Sequence, residues 1–165
     1  MTRNASGTSR ICSIGPVETD ADLHVAMSLF DAYAASLPIS LGYQDFAAEL
    51  ASLPGKYAPP GGSLLLARAA GEVLGCVGLR PLPDPGCCEM KRLYLRPEGR
   101  GRGIGRELAY AVIESARNIG YRELRLDTLA SMTGAIRLYE QTGFRRIEPY
   151  YAPTPPGTVF MALTL

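Results

Sequence analysis

A chain of 165 residues, 47% apolar and 20% charged, carries enough apolar surface for one folded unit with a buried core. Its formal net charge of +1 leaves no overall field to draw it to nucleic acid or an anionic membrane, so any positive field is local. No apolar run approaches the ~20 residues of a membrane-spanning helix, and the four cysteines and one histidine show no zinc-ligand spacing, so no metal site is expected.

The opening MTRNASGTSR lacks the apolar core of a secretory signal. Residues 1–9 are read as a disordered leader, and residues 10–165 as a single domain. ICSIGPV (11–17) fits a first strand. From Asp20, Leu23, Met27, Phe30 and Ala34 recur at helical spacing, with Thr19 or Asp20 as cap. His24 sits at the edge of that stripe with no partner in view and is read as structural. A shorter helix is expected from Tyr43 to Leu53, with Phe46 and Leu50 on one face and Pro54-Gly55 ending it.

SLLLARA (63–69), the turn Ala70-Gly71 and EVLGCVGLR (72–80) read as an antiparallel hairpin. CCEMKRLYL (87–95) is the next strand, where adjacent Cys87 and Cys88 point to opposite faces as small packed hydrophobes of a reducing cytoplasm. Ile104, Leu108, Ala111, Val112, Ser115 and Ile119 trace one face of a helix over 103–119, terminated by Gly120. YRELRLDTL (121–129) alternates as a half-buried strand. Ser131 is placed to cap a helix through Gln141, and FRRIEPY (144–150) and VFMALTL (159–165) complete the sheet. The order β-α-α-β-β-β-α-β-α-β-β defines an α/β chain with a mixed, mostly antiparallel sheet. Strand 87–95, helix 103–119 and strand 121–129 form its one parallel βαβ unit.

The junction inside that unit, RPEGRGRGIGRE (96–107), holds four glycines and four arginines in twelve positions. A strand-to-helix turn exposes the first backbone N–H groups of the helix, which with the helix dipole form an anion site. Glycines remove the Cβ atoms that would keep a phosphate at a distance. Arg100, Arg102 and Arg106 supply charge for a multiply charged group, so the composition points to a diphosphate. No Gly-Lys-Ser/Thr follows, and a G-x-G-x-x-G register fails because its third glycine falls on Arg106 or Ile104.

Arg100-Gly101-Arg102-Gly103-Ile104-Gly105 resembles the Q/R-x-x-G-x-G/A motif of the GNAT superfamily of acetyl-CoA-dependent N-acetyltransferases. Leu138-Tyr139-Glu140-Gln141-Thr142-Gly143-Phe144 is similar to the family's L-Y-x-x-x-G-F signature, and the element order is that of the GNAT fold. The likeness runs from Ile11 onward. It implies that the backbone amides of Gly101, Arg102, Gly103, Ile104, Gly105 and Arg106 hold the pyrophosphate of acetyl-CoA. It also implies that Leu93, Tyr94 and Leu95 lie on a strand that splays from its parallel neighbour to receive pantetheine. An asparagine common in the family is replaced here by Met132.

Acetylating an amine requires a proton to leave the ammonium and another to reach the departing thiolate. Glu89, fourteen residues before Gly103, is the candidate base, expected to share a face with Leu93 and Leu95 and to have its pKa raised by burial. An ion pair with Lys91 or Arg92, or an anchoring role, is the alternative. Tyr139 is the candidate acid, the resemblance implying that its hydroxyl reaches the coenzyme sulfur; a core tyrosine beside Met132, Ala135 and Ile136 is the alternative. The acceptor is expected to be a small-molecule or peptide amine, with Glu89 and Asp127 leaning toward a cation. A homodimer is compatible with this reading. A non-catalytic acyl-CoA-sensing module is the competing class.

Overall fold

The computed structural model describes residues 12–165, so the leader assigned to 1–9 and Ile11 of the first strand lie outside the described residues. β1 (Ser13–Pro16) leads into α1 (Asp20–Ser36), whose start is fixed by a capping box: Asp22 N–H donates to Thr19 Oγ1 at 3.0 Å and Thr19 N–H to Asp22 Oδ2 at 3.4 Å. The buried face of α1 is Ala26, Leu29 and Phe30, rotated from the stripe expected through Met27 and Ala34. His24 is exposed. The single helix expected over 43–53 is two pieces, a 3-10 turn at Leu41–Gln44 and α2 (Phe46–Ala51). Asp45 breaks them apart at φ +56°, a left-handed conformation that aspartate tolerates better than most residues.

β2 (Ser63–Ala69) and β3 (Glu72–Pro81) form the expected hairpin, with both turn residues, Ala70 and Gly71, at positive φ. β4 (Cys87–Leu95), α3 (Ile104–Ile119) and β5 (Glu123–Thr128) follow, with β4 and β5 parallel. α3 buries Ile104, Leu108, Ala109, Val112, Ile113 and Ala116. The expected face was correct at three of these positions, but Ile119 is exposed and Ala111 and Ser115 lie at the margin. α4 (Thr133–Gln141) starts at Met132 without a side-chain cap, so Ser131 does not play the part expected of it. β6 is confined to Arg145–Ile147, and β7 (Val159–Thr164) ends the sheet.

The strands form one seven-stranded sheet in the order β1-β2-β3-β4-β5-β7-β6. One face packs with α3 and with Tyr139 and Phe144 against Leu65, Val77, Leu79, Met90, Leu124, Leu126 and Met161. The other packs Ala26, Leu29 and Phe30 of α1 and Tyr57 against Leu64, Leu66 and Cys76. Each fully buried Leu or Phe contributes about 1.5–3 kcal/mol of transfer free energy. Helices on both faces leave the sheet's free surfaces at its edges and wherever its strands part.

Candidate active site

The parallel ladder joins Cys87, Cys88 and Glu89 of β4 to Glu123, Leu124 and Arg125 of β5, and then stops. β4 runs on to Leu95 and β5 to Thr128, so the central strands diverge from Met90 onward. A β-bulge sits in the diverging part of β4. Gly78 pairs with Lys91 and Cys76 with Tyr94, so Arg92 and Leu93 together oppose Val77. Arg92 takes φ +60°, and it is held there by its side chain. The guanidinium donates to Glu49 Oε2 at 2.9 Å and Gln44 Oε1 at 2.7 Å, with its carbon 5.2 Å from the Phe46 ring centre.

The bulge corrects one expectation. Leu93 and Leu95 pack on the α3 side of the sheet, whereas Glu89 lies opposite Arg80 on the α2 side. Glu89 therefore does not share a face with them, because the extra residue reverses the alternation.

At the far end of β4, Gly101 (φ +73°) and Gly103 (φ +77°) turn the chain into α3. Gly103 is the N-cap and supplies no side-chain cap. Among the described residues, the amides of 101–106 donate no backbone hydrogen bond, and a Cβ on Gly101 or Gly103 would meet open space. These residues are exposed except Ile104, which is buried, and Gly105, which is half-buried. The open helix start expected from sequence is present. Of its arginines, Arg100 donates to the Leu95 carbonyl at 3.2 Å and lies 5.9 Å from the Tyr94 ring centre, and Arg106 donates to Gln141 at 2.8 Å.

Where β4 and β5 part, the α2 side of the sheet carries a nearly dry ionic cluster. The Glu89 side chain is 1% exposed, Lys91 3% and Asp127 7%. Glu89 accepts from Arg80 Nε at 2.9 Å and from the Tyr150 hydroxyl at 2.6 Å. Lys91 Nζ stands 3.8 Å from Glu89 Oε1 and 3.7 Å from Asp127 Oδ1. Asp127 Oδ2 accepts from Tyr151 at 2.7 Å and Gln44 at 3.2 Å. Glu49 completes the cluster beside Arg80 and Arg92, so three carboxylates face three cations.

The electrostatics overturn a second expectation. Burial pushes the Glu89 pKa up, but Lys91, Arg80 and the Tyr150 hydrogen bond together outweigh it, and the carboxyl ends below its ordinary value. Burial pushes Lys91 the other way, below the usual lysine range, against the pull of Glu89 and Asp127. The Tyr139, Tyr150 and Tyr151 phenols are driven up, first by burial and then by neighbouring charges, so all three stay protonated.

Tyr139 is 7% exposed, packs edge-on to Phe144, and lines the cleft between the parted strands with Lys91, Asp127 and Met132. Its hydroxyl has no hydrogen-bond partner among the described residues. Met132 occupies the cleft wall, where Thr128 Oγ1 donates to its sulfur at 3.5 Å. Sequence reasoning passed over Lys91 as a counter-ion and Tyr150 as a wall aromatic. The available signal was an adjacent Lys-Arg pair inside a mostly apolar strand.

The family model of the Acetyltransferase (GNAT) family matches residues 27–144. The chain is 42% identical over 154 residues to an uncharacterised N-acetyltransferase of Schizosaccharomyces pombe, covering 93% of this chain and 94% of that one. A GNAT-family acetyltransferase from Staphylococcus aureus shares the fold at a TM-score of 0.76, with 19% identity over 93% of this chain and 98% of that one. A GNAT-family acetyltransferase from Elizabethkingia anophelis, solved with acetyl-CoA bound, gives a TM-score of 0.62 and 25% identity over 95% of this chain and 100% of that one. A mixed sheet parted beside an uncapped helix start, with these relatives, defines the class as an acyltransferase. The chain belongs to the GNAT family of acetyltransferases.

Proposed function

We propose that the protein transfers an acetyl group from acetyl-CoA to a primary amine of a small molecule or peptide, by direct attack within a ternary complex. The observation that carries this reading is the row of undonated amides at 101–106, placed beside strands that part. The Elizabethkingia relative, which holds acetyl-CoA, supports it. In this reading the amides of Gly101 through Arg106 bind the pyrophosphate, with Arg100, Arg102 and Arg106 adding charge. The unpaired edge of β4 at Leu93, Tyr94 and Leu95 hydrogen-bonds the pantetheine arm.

Tyr139, kept protonated by burial, donates to the leaving sulfur. Glu89 anchors: fixed as an anion, it holds Arg80 and Tyr150 in place and orients the amine side of the cleft. The acceptor enters from the α2 side, past Tyr43, Tyr150 and Tyr151.

Two measurements test the reading together. Saturating acetyl-CoA is expected to raise the thermal midpoint, and a panel of amines followed by CoA release is expected to identify an acceptor. Binding without turnover on any amine indicates the sensing module instead. No midpoint shift and no binding heat would overturn the reading.

A further inference from the structure

We infer that Lys91 is the proton acceptor of the transfer reaction, taking the proton that the acceptor's ammonium must lose before it attacks. The inference rests on the function proposed above and deepens it.

Lys91 is almost wholly buried, yet its amine is not sealed into the protein. Nζ makes no hydrogen bond among the described residues, the nearest carboxylate oxygens being at 3.7 and 3.8 Å. Among the described residues no fully enclosed side-chain polar atom lacks a partner, so Nζ, which has none, is not fully enclosed, and Lys91 lines the cleft with Tyr139 and Asp127. A lysine serving only as a counter-ion would be expected to close on its carboxylates at about 2.8 Å.

The groups facing Lys91 sort the possible bases. From its own strand come Glu89 and Arg92, from β3 Arg80, from β5 Asp127, and from α1, the 3-10 turn and α4 the phenols Tyr33, Tyr43 and Tyr139. Glu89 is displaced downward by Lys91, Arg80 and Tyr150, of which Arg80 and Tyr150 remain hydrogen-bonded to it whatever the charge on Lys91, and the phenols are held protonated, so each is displaced away from neutrality. Lys91 alone of those shifted is displaced toward it. With Lys91 neutral, the cluster carries one net negative charge and attracts an ammonium. Once Lys91 takes the proton, three cations again face three carboxylates.

The protons balance. The acceptor's ammonium gives one proton to the Lys91 lone pair, and the neutral amine attacks the acetyl carbonyl. The C–N bond forms and the C–S bond breaks. Tyr139 donates its proton to the departing sulfur and regains one from the acetylated nitrogen. Lys91 releases its proton to water through the cleft, so one proton leaves per turnover.

The test compares wild type, Lys91→Arg and Lys91→Met with the best amine of the panel. Arginine keeps the charge and cannot act as a base near neutral pH. Wild-type kcat/KM is expected to be bell-shaped, rising as Lys91 loses its proton and falling as the free acceptor loses its own. Lys91→Arg is expected to bind acetyl-CoA as wild type does, but to lose about 100-fold or more in kcat/KM, the range of a general base. Its profile becomes a single rise at the acceptor's own pKa, and Lys91→Met behaves likewise. A variant that is slow but keeps the bell shape, or one within threefold of wild type, overturns the inference. So does loss of acetyl-CoA binding in both variants. A wild type that turns over no amine overturns both the inference and the reading beneath it.

Discussion

The Tyr150 hydroxyl donates to Glu89 Oε2 at 2.6 Å, tying the segment ahead of β7 to the middle of the sheet across 61 positions of chain. Arg80 occupies the other oxygen at 2.9 Å, so the carboxylate has a partner on each side. Because Glu89 is 1% exposed, Lys91 and these two partners together decide its charge state.

The pH dependence of stability follows from that arrangement. The folded pKa of Glu89 lies below its ordinary 4.5, so its contribution is fully present above that value and is lost as pH falls through the folded one. Glu89→Gln, which leaves buried cations short of a partner, is expected to cost about 3 kcal/mol at neutral pH. Urea unfolding at a series of pH values is expected to show that gap narrowing below about pH 4. A gap that stays constant down to pH 3 would refute the assignment.

Gly103 and Gly105 are expected to behave differently when each is replaced by alanine. At Gly103, φ +77° strains any residue with a Cβ by roughly 1–2 kcal/mol, and the methyl group projects into the open space above the helix start. Gly103→Ala is therefore expected to lower stability and to remove the midpoint shift given by acetyl-CoA. The Gly105 methyl would rest at 3.4 Å from Leu95 and 3.7 Å from Leu138, ordinary contacts. Gly105→Ala is expected to be at least as stable as wild type, since alanine in a helix is favoured by about 1 kcal/mol.

The Tyr57 ring packs close against β3 because residue 78 is glycine. A Cβ there would stand 2.5 Å from the ring. Tyr57 also meets Phe30 edge-on at 5.7 Å and donates to Glu49 at 3.0 Å, so it has little room to withdraw. Gly78→Ala is expected to cost about 1–3 kcal/mol, the usual penalty of overpacking, read from the urea midpoint at unchanged m-value.

Tyr139→Phe separates a chemical hydroxyl from a packing ring. The hydroxyl has no partner among the described residues, and phenylalanine keeps the contact with Phe144. Stability is expected within about 0.5 kcal/mol of wild type, with acetyl-CoA affinity retained and turnover lost. Full turnover would leave the tyrosine a core residue.

The hairpin at Ala70-Gly71, the parallel β4-α3-β5 unit and the open start of α3 were all legible in the sequence, because each rests on local signals: turn residues, apolar period and glycine spacing. The side chains of β4 were not. Alternation assumes a strand without interruption, and the extra residue at Arg92 depends on Glu49 and Gln44, more than forty positions away. The direction of the Glu89 shift was only half legible: Lys91 stands two residues away, but Arg80 and Tyr150, which add to its pull, come from distant parts of the chain. On α3, Leu108 and Val112 fit two neighbouring stripes equally well, and contact with the sheet selects the one through Ile113 and Ala116.

α2 has no fully buried side chain, and Glu49 tethers it: that single carboxylate receives Arg92 at 2.9 Å, Tyr57 at 3.0 Å and Arg80 at 3.4 Å. One charge thus gathers the wall over the cleft, whose Phe46, Leu50 and Leu53 rest on the core. A change at Glu49 would therefore loosen α2, the packing of Tyr57 and the bulge at Arg92 together.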